Sequence, residues 1–237
     1  MVSCEKLAVL SDFDGTMITV DAPVYLLERY AVGDWRETEH RFTEGLITIE
    51  ECIRLQLEMI WMGQERMVKE LDEVVRPRAG LDALLRHCRS AGHAFEVTSA
   101  GLDFYIRHFL NRHGWSGVEI VAPRCEETFR GISVTFPARM FKEAENFKED
   151  RVRHHQGLGR TVAYVGDGTS DLPAAKRADI AFAIRGGSLE RLLRDSGKEH
   201  HVIDDLSEML EHLAEPHGVR PGATGGQDDA SAPAEVR

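Results

Sequence analysis

The sequence is short of the features that mark several large protein classes. Its four cysteines, Cys4, Cys52, Cys88 and Cys125, are far apart and make no Cys-x-x-Cys pair. They read as reduced thiols of a cytoplasmic protein, not as a disulfide or zinc framework. Eleven histidines include His154-His155 and His200-His201, yet none falls in zinc-ligand spacing. No apolar run approaches a membrane span. The N-terminus lacks a basic stretch followed by a hydrophobic signal region, which argues against export. Positive charge is scarce too: the formal net charge of −11 argues against a non-specific binder of nucleic acid or anionic membranes. A local positive pocket for a small anion remains compatible with that balance. There is no internal repeat.

What remains is an ordinary globular composition, 42% hydrophobic and 29% charged over 237 residues, enough for one sizeable domain or a core with an insertion. The stretch that organises it is Leu7-Ala8-Val9-Leu10-Ser11-Asp12-Phe13-Asp14-Gly15-Thr16. A short apolar run reads as a buried strand, and it ends in two acidic residues one position apart. Ligands of open α/β sheets bind beyond the carboxyl ends of the strands. Strand alternation lets Asp12 and Asp14 point the same way. On its own the stretch also fits a plain strand followed by an Asp-Gly turn.

After Thr16 the chain becomes helical. Asp21 caps a helix from Ala22 to Tyr30, with Pro23 tolerated in its first turn. Further helices follow over Trp35–Glu44, after Thr48, and over Gln64–Val75. In the third, Ile49, Ile53 and Ile60 share one face at helical spacing. An α/β rhythm then returns: helix Gly80–Ala91, strand His93–Thr98, helix Leu102–Arg112 and strand Val118–Val121. Thr128–Val134 reads as a β-hairpin turning at Arg130-Gly131. A helix opened by Lys148 runs to Gln156, and strand Thr161–Val165 ends in Gly166-Asp167-Gly168-Thr169-Ser170-Asp171. Two short strands, each followed by a helix, close the pattern. The expected fold class is α/β, a Rossmann-like, mostly parallel sheet with an inserted helical cap. The expected boundaries are core 1–19, cap 20–78, and core 79–213 with a hairpin near 124–136, then a Gly/Pro-rich disordered tail 214–237.

Asp12, Asp14 and Asp167 at strand ends would make an oxygen-only site suited to Mg²⁺. Ser99, just after a strand, is able to donate to a phosphate oxygen or to cap the next helix. Lys148 sits where a cation does not help the helix dipole, and by position alone it reads as a surface lysine.

As an ordered set these residues resemble the haloacid dehalogenase superfamily of phosphohydrolases, over about residues 6–205. Asp12-Phe13-Asp14-Gly15-Thr16 matches the first motif, Ser99 the second, Lys148 the third, and Gly166-Asp167-Gly168-Thr169-Ser170-Asp171 the fourth. The resemblance implies Asp12 as nucleophile through an aspartyl-phosphate and Asp14 as general acid/base. It also implies Mg²⁺ held by the Asp12 carboxylate, the Asp14 backbone carbonyl and Asp167, with Asp171 supporting, and a phosphoryl group held by Ser99 and Lys148. The insertion point is that of the subgroup containing phosphoserine phosphatase. Ser99-Ala100-Gly101-Leu102-Asp103-Phe104-Tyr105 looks most like the methionine-salvage 2-hydroxy-3-keto-5-methylthiopentenyl-1-phosphate phosphatases, with Ala100 where relatives often carry Gly. In the phosphoserine enzymes an acidic cap residue and an arginine hold the amino acid; here Asp21 and Gln56 occupy those positions. The expected activity is a cytoplasmic phosphomonoesterase acting on a small phosphorylated metabolite, with no nucleic acid or membrane partner and an open oligomeric state. A phosphoserine phosphatase, a phosphotransferase using the same residues, and a non-catalytic binding protein on the same scaffold are the alternatives. The last would be favoured by loss of a motif residue, and all are present.

Overall fold

Six parallel strands, in sheet order Glu119–Val121, Ala94–Thr98, Leu7–Ser11, Thr161–Gly166, Ile180–Ile184 and His201–Ile203, form the sheet of the computed structural model, which describes residues 7–129 and 131–213. The elements run β1 Leu7–Ser11, α1 Ala22–Tyr30, α2 Trp35–Thr43, α3 Ile49–Glu58, α4 Gln64–Val74, α5 Leu81–Ala91, β2 Ala94–Thr98 and α6 Asp103–Arg112. They continue with β3 Glu119–Val121, β4 Arg124–Thr128, β5 Gly131–Thr135, α7 Phe147–Gly157, β6 Thr161–Gly166, α8 Leu172–Arg177, β7 Ile180–Ile184, α9 Ser188–Asp195, β8 His201–Ile203 and α10 Met209–Leu213. Cys4, Arg130 at the expected hairpin turn and the expected tail 214–237 lie outside the described residues.

β1 occupies the middle of the sheet because every one of its residues is buried. Its alternation divides the core. Leu7 and Val9 join Phe13, Leu84, Val97 and Phe109 on one face, while Ala8 and Leu10 join Val152, Val162, Tyr164 and Leu189 on the other. Burying a side chain of Val or Leu size contributes about 1.5–3 kcal/mol, and a continuous apolar run is what a strand covered on both faces requires. The strands therefore deliver their carboxyl ends, with Asp12, Ser99 and Asp167 just beyond or at those ends, to one edge of the sheet.

Helices α1 to α4 leave the core after β1 and return before α5. The two crossings are joined: Ile18 and Pro77 form an antiparallel bridge, Thr19 N–H donates to the Arg76 carbonyl and Arg78 N–H to the Met17 carbonyl. Asp34 and Thr48 cap α2 and α3 through their side chains. One expectation is corrected here. Ile60 is not on the helix with Ile49 and Ile53, because α3 stops at Glu58 and Ile60 pairs with Ala31 in a short β-bridge. The hairpin spans the region expected near 124–136, β4 pairing β5 from Arg124–Thr135 to Thr128–Gly131, with Gly131 a strand residue rather than part of the turn. It packs on α3. Glu127 accepts from Gln64 N–H, and the Gln64 side chain donates to the Cys125 carbonyl. The hairpin thus belongs structurally with the helices above the sheet edge. Among the described residues no helix is long and apolar enough to cross a membrane, and Cys52, Cys88 and Cys125 are free buried thiols.

Candidate active site

Past the end of β1 the chain turns tightly. Thr16, Met17 and Ile18 N–H groups all donate to the Phe13 carbonyl. Gly15 has φ +68°, and a Cβ there would collide with the Asp167 carboxylate, so only glycine fits the loop against its neighbour strand. Thr16 Oγ1 donates to Asp167 Oδ1 at 3.1 Å. The first acidic loop is thereby fastened to the second.

Lys148 enters from the second residue of α7, whose start is fixed by Asn146 accepting from Glu149 N–H. Its side chain is buried, not on the surface as position alone suggested. Nζ lies 2.9 Å from Asp12 Oδ1, 2.6 Å from Asp171 Oδ1 and 3.2 Å from Ser170 Oγ. Burial works against its charge, but Asp12 and Asp171 outweigh that and hold its pKa above the usual lysine value. Asp171 is saturated: Oδ1 accepts from Lys148 and from Tyr164 Oη at 2.7 Å, and Oδ2 from the Asp167 and Gly168 N–H groups.

Asp14 does not face the same partners as Asp12. Its Oδ1 accepts from Ala22 N–H at 3.0 Å, at the start of α1, and a Cβ on Gly101 would strike its Oδ2. Strand alternation does not govern the pair, because β1 ends at Ser11. Asp12 and Asp14 nonetheless both line one cavity of about 250 Å³, with Asp21, Gln56, Ser99, Lys148 and Asp167. Ser99 Oγ accepts from Gly101 N–H at 3.1 Å. It is not the cap of α6, which begins after Leu102 with no side-chain cap. Asp21 does cap α1, accepting from Val24 N–H, and still lines the cavity. The Gln56 amide donates to the Trp35 carbonyl at 3.3 Å.

The electrostatics are strained. Burial, then Asp171, push the Asp12 pKa up to about 8 despite Lys148. Burial and Asp171 likewise push Asp167 up to about 7. Burial, Asp21 and Asp12 raise Asp14 well above the carboxylate range. Ligand oxygens of Asp12, Asp167 and Asp171 lie within 4.8 Å of one another. An all-oxygen set with this excess of negative charge is the donor chemistry of a hard divalent cation. Asp171 differs from the other two in that both of its oxygens are already engaged by protein donors.

Two parts of the site had only weak sequence signals. Tyr164 looked like one more apolar strand residue, although its hydroxyl is the only polar side-chain group within Val162–Val165. Thr16 stood in the motif with no role attached to it.

A fold of parallel strands with acidic loops at one edge, a buried lysine between two of them and a covering insertion defines a hydrolase class. A family model described as haloacid dehalogenase-like hydrolase matches residues 9–176, and the chain belongs to that family. Among curated proteins it is 28% identical over 216 residues to a 2-hydroxy-3-keto-5-methylthiopentenyl-1-phosphate phosphatase of Exiguobacterium sp., covering 86% of this chain and 96% of the relative. It is 24% identical to Pdp3-interacting factor 1 of Schizosaccharomyces pombe, covering 90% and 98%. Among solved structures, a phospho-aspartyl intermediate analogue of phosphoserine phosphatase superposes with a TM-score of 0.66 at 17% identity, covering 88% and 99%. That last likeness establishes the fold.

Proposed function

We propose that the protein is a Mg²⁺-dependent, cytoplasmic phosphomonoesterase that hydrolyses a small phosphorylated metabolite through an aspartyl-phosphate on Asp12. The observation that carries this is the presence, in one cavity, of Asp12 held by Lys148 together with a protonatable Asp14. An Asp12 carboxylate oxygen attacks phosphorus as the ester oxygen departs, and Asp14 gives that oxygen its proton. Water then attacks the phosphorus of the acyl phosphate, Asp14 takes the water's proton, and the Asp12 carboxylate and inorganic phosphate are released. The raised pKa of Asp14 keeps the proton available for the first step. Lys148 and the Ser99 hydroxyl hold phosphoryl oxygens, so a dianion approaches a carboxylate without prohibitive repulsion. Asp12, the Asp14 carbonyl and Asp167 would hold Mg²⁺, with Asp171 supporting. Bound there, the ion supplies charge neutralisation and lowers the Asp12 pKa so that the nucleophile is ionised.

The cap side of the cavity favours an uncharged organic portion. Val24, Leu27, Trp35, Phe42, Ile53 and Leu57 contribute apolar surface, and among the described residues lining it none is an arginine. An amino-acid carboxylate would meet Asp21 and Glu39 with no cationic partner there. A neutral keto or hydroxy phosphoester fits better, the methionine-salvage keto-phosphate named in several relatives being one such compound. The test is a panel of phosphoesters with Mg²⁺: the neutral compounds outpace phosphoserine. Gln56→Arg raises the relative kcat/KM for phosphoserine by about tenfold, the yield of one charge-assisted pair. Wild-type preference for phosphoserine would reverse the cap reading. An added alcohol acceptor that captures the phosphoryl group would make the protein a phosphotransferase.

A further inference from the structure

The two passages that lead into and out of α1–α4 are hydrogen-bonded to each other at Ile18 and Pro77. Arg78 is the first residue past that bridge. The half-buried guanidinium forms no ion pair with an acid among the described residues; it reaches back across the chain to backbone carbonyls. Nε donates to the Thr16 carbonyl at 2.7 Å and Nη2 to the Gly15 carbonyl at 2.6 Å, while Nη1 reaches the Asp204 carbonyl at 3.4 Å. Gly15 and Thr16 lie in the tight turn that follows Asp14, and both press on Asp167: Gly15 through its missing Cβ, Thr16 through its hydroxyl. A chain of direct contacts therefore runs from the Ile18–Pro77 crossing, through Arg78, to the acidic centre.

We propose that Arg78 is a positioning residue that couples the posture of the cap to the geometry of the Asp12–Asp14 loop and Asp167. This rests on the hydrolytic reading of those three residues given above. A planar fork that satisfies two successive carbonyls fixes the orientation of both peptide planes at once. A swing at the Ile18–Pro77 crossing displaces Arg78, and the turn follows because its carbonyls have these guanidinium donors. Lysine, whose compact ammonium lacks that rigid fork, does not fix the two peptide planes relative to each other. Arg76 is the natural control. It lies in the same crossing, but its guanidinium bonds the Glu73 and Val75 carbonyls at the end of α4.

The experiment compares Arg78→Met, Arg78→Lys and Arg76→Met with wild type in two readouts. One is Mg²⁺ binding to the protein alone by titration calorimetry; the other is kcat, KM and the Mg²⁺ concentration for half-activity with p-nitrophenyl phosphate. Arg78→Met weakens Mg²⁺ binding and lowers kcat by about tenfold each, the usual scale for a partner behind a ligand, with KM nearly unchanged. Arg78→Lys recovers part of both, and Arg76→Met matches wild type. Wild-type values in Arg78→Met, or equal losses in Arg76→Met, overturn the proposal, and so does a wild-type protein that binds no Mg²⁺. If Arg78→Met does not fold, Arg78→Lys decides: lowered kcat with unchanged KM supports the coupling, and wild-type kinetics refute it. A wild-type protein that hydrolyses no phosphoester, yet loses Mg²⁺ affinity in Arg78→Met, retains the coupling and overturns the hydrolytic reading instead.

Discussion

Glu96 offers the sharpest quantitative test of how the site is held. It lies on β2, three residues before Ser99, and is 1% exposed. Arg151 of α7 binds both of its oxygens through Nε and Nη2, and His155 Nε2 lies 3.1 Å from Oε2. Arg160 Nη1 in turn lies 2.9 Å from His155 Nδ1, and Thr98 Oγ1 donates to Oε1. Strand β2 leads directly into Ser99 and α7 carries Lys148, so this buried cluster ties together the two elements that present the groups proposed to hold phosphate. Burial alone would raise the Glu96 pKa, but the hydrogen bonds from Arg151 and His155 bring it from 4.5 down to about 2. At about 1.4 kcal/mol per unit, that displacement corresponds to about 3 kcal/mol. It falls at the lower edge of the roughly 3–5 kcal/mol expected when one partner of a buried pair is removed. Because the folded-state pKa is depressed, the stabilisation is complete above the unfolded value of 4.5 and is lost as pH falls through about 2. Glu96→Gln should therefore lose about 3 kcal/mol at neutral pH in urea unfolding. Its Tm should fall by about 6–12 °C for a domain of this size. The gap between wild type and variant should narrow steadily below pH 4.5, where the unfolded wild-type chain takes up a proton that the folded state still excludes. A variant within about 0.5 kcal/mol of wild type at pH 7, the ordinary scatter of surface changes, refutes the reasoning. So does a gap that does not change with pH.

Two further outcomes follow from the acidic centre. Asp12→Asn should abolish phosphate release while leaving thermal stability equal or higher at neutral pH, since burial, then Asp171, already disfavour an ionised carboxylate at that position; release near the wild-type rate would rule out Asp12 as nucleophile. In chelator, the raised pKa values of Asp12 and Asp167 mean that the folded state binds protons more tightly than the unfolded chain. Stability should therefore fall between pH 4 and 8, and added Mg²⁺ should restore it most at the high end; a melting profile unaffected by Mg²⁺ across that range would count against the metal site.

Much of the molecule was legible because its information is local. An apolar run of five residues ending in acids can hardly be anything but a buried strand with its loop at a sheet edge. Asp21 and Thr48 announced helix starts through short-range capping that the structure repeats. The acidic and basic motif positions were readable as an ordered set because each stands at an element's end. Ile60 failed the same logic: helical spacing continued on paper, but the chain broke at Glu58 to pair with Ala31. What the sequence could not reveal lies in contacts between distant residues. Lys148 looked like a solvated lysine until Asp12 and Asp171 were brought to it from other strands. Glu96 was one polar letter in a strand, and its partner Arg151 is 55 residues away. Arg78 reaches Gly15 across 63 residues. The periodicity of side chains and the chemistry of caps are set by neighbours along the chain, whereas the fate of a buried charge is set by whichever opposite charge the fold delivers. Tertiary structure alone decided that, and with it which carboxylates repel, which are satisfied, and how the cap is tied to the loop it covers.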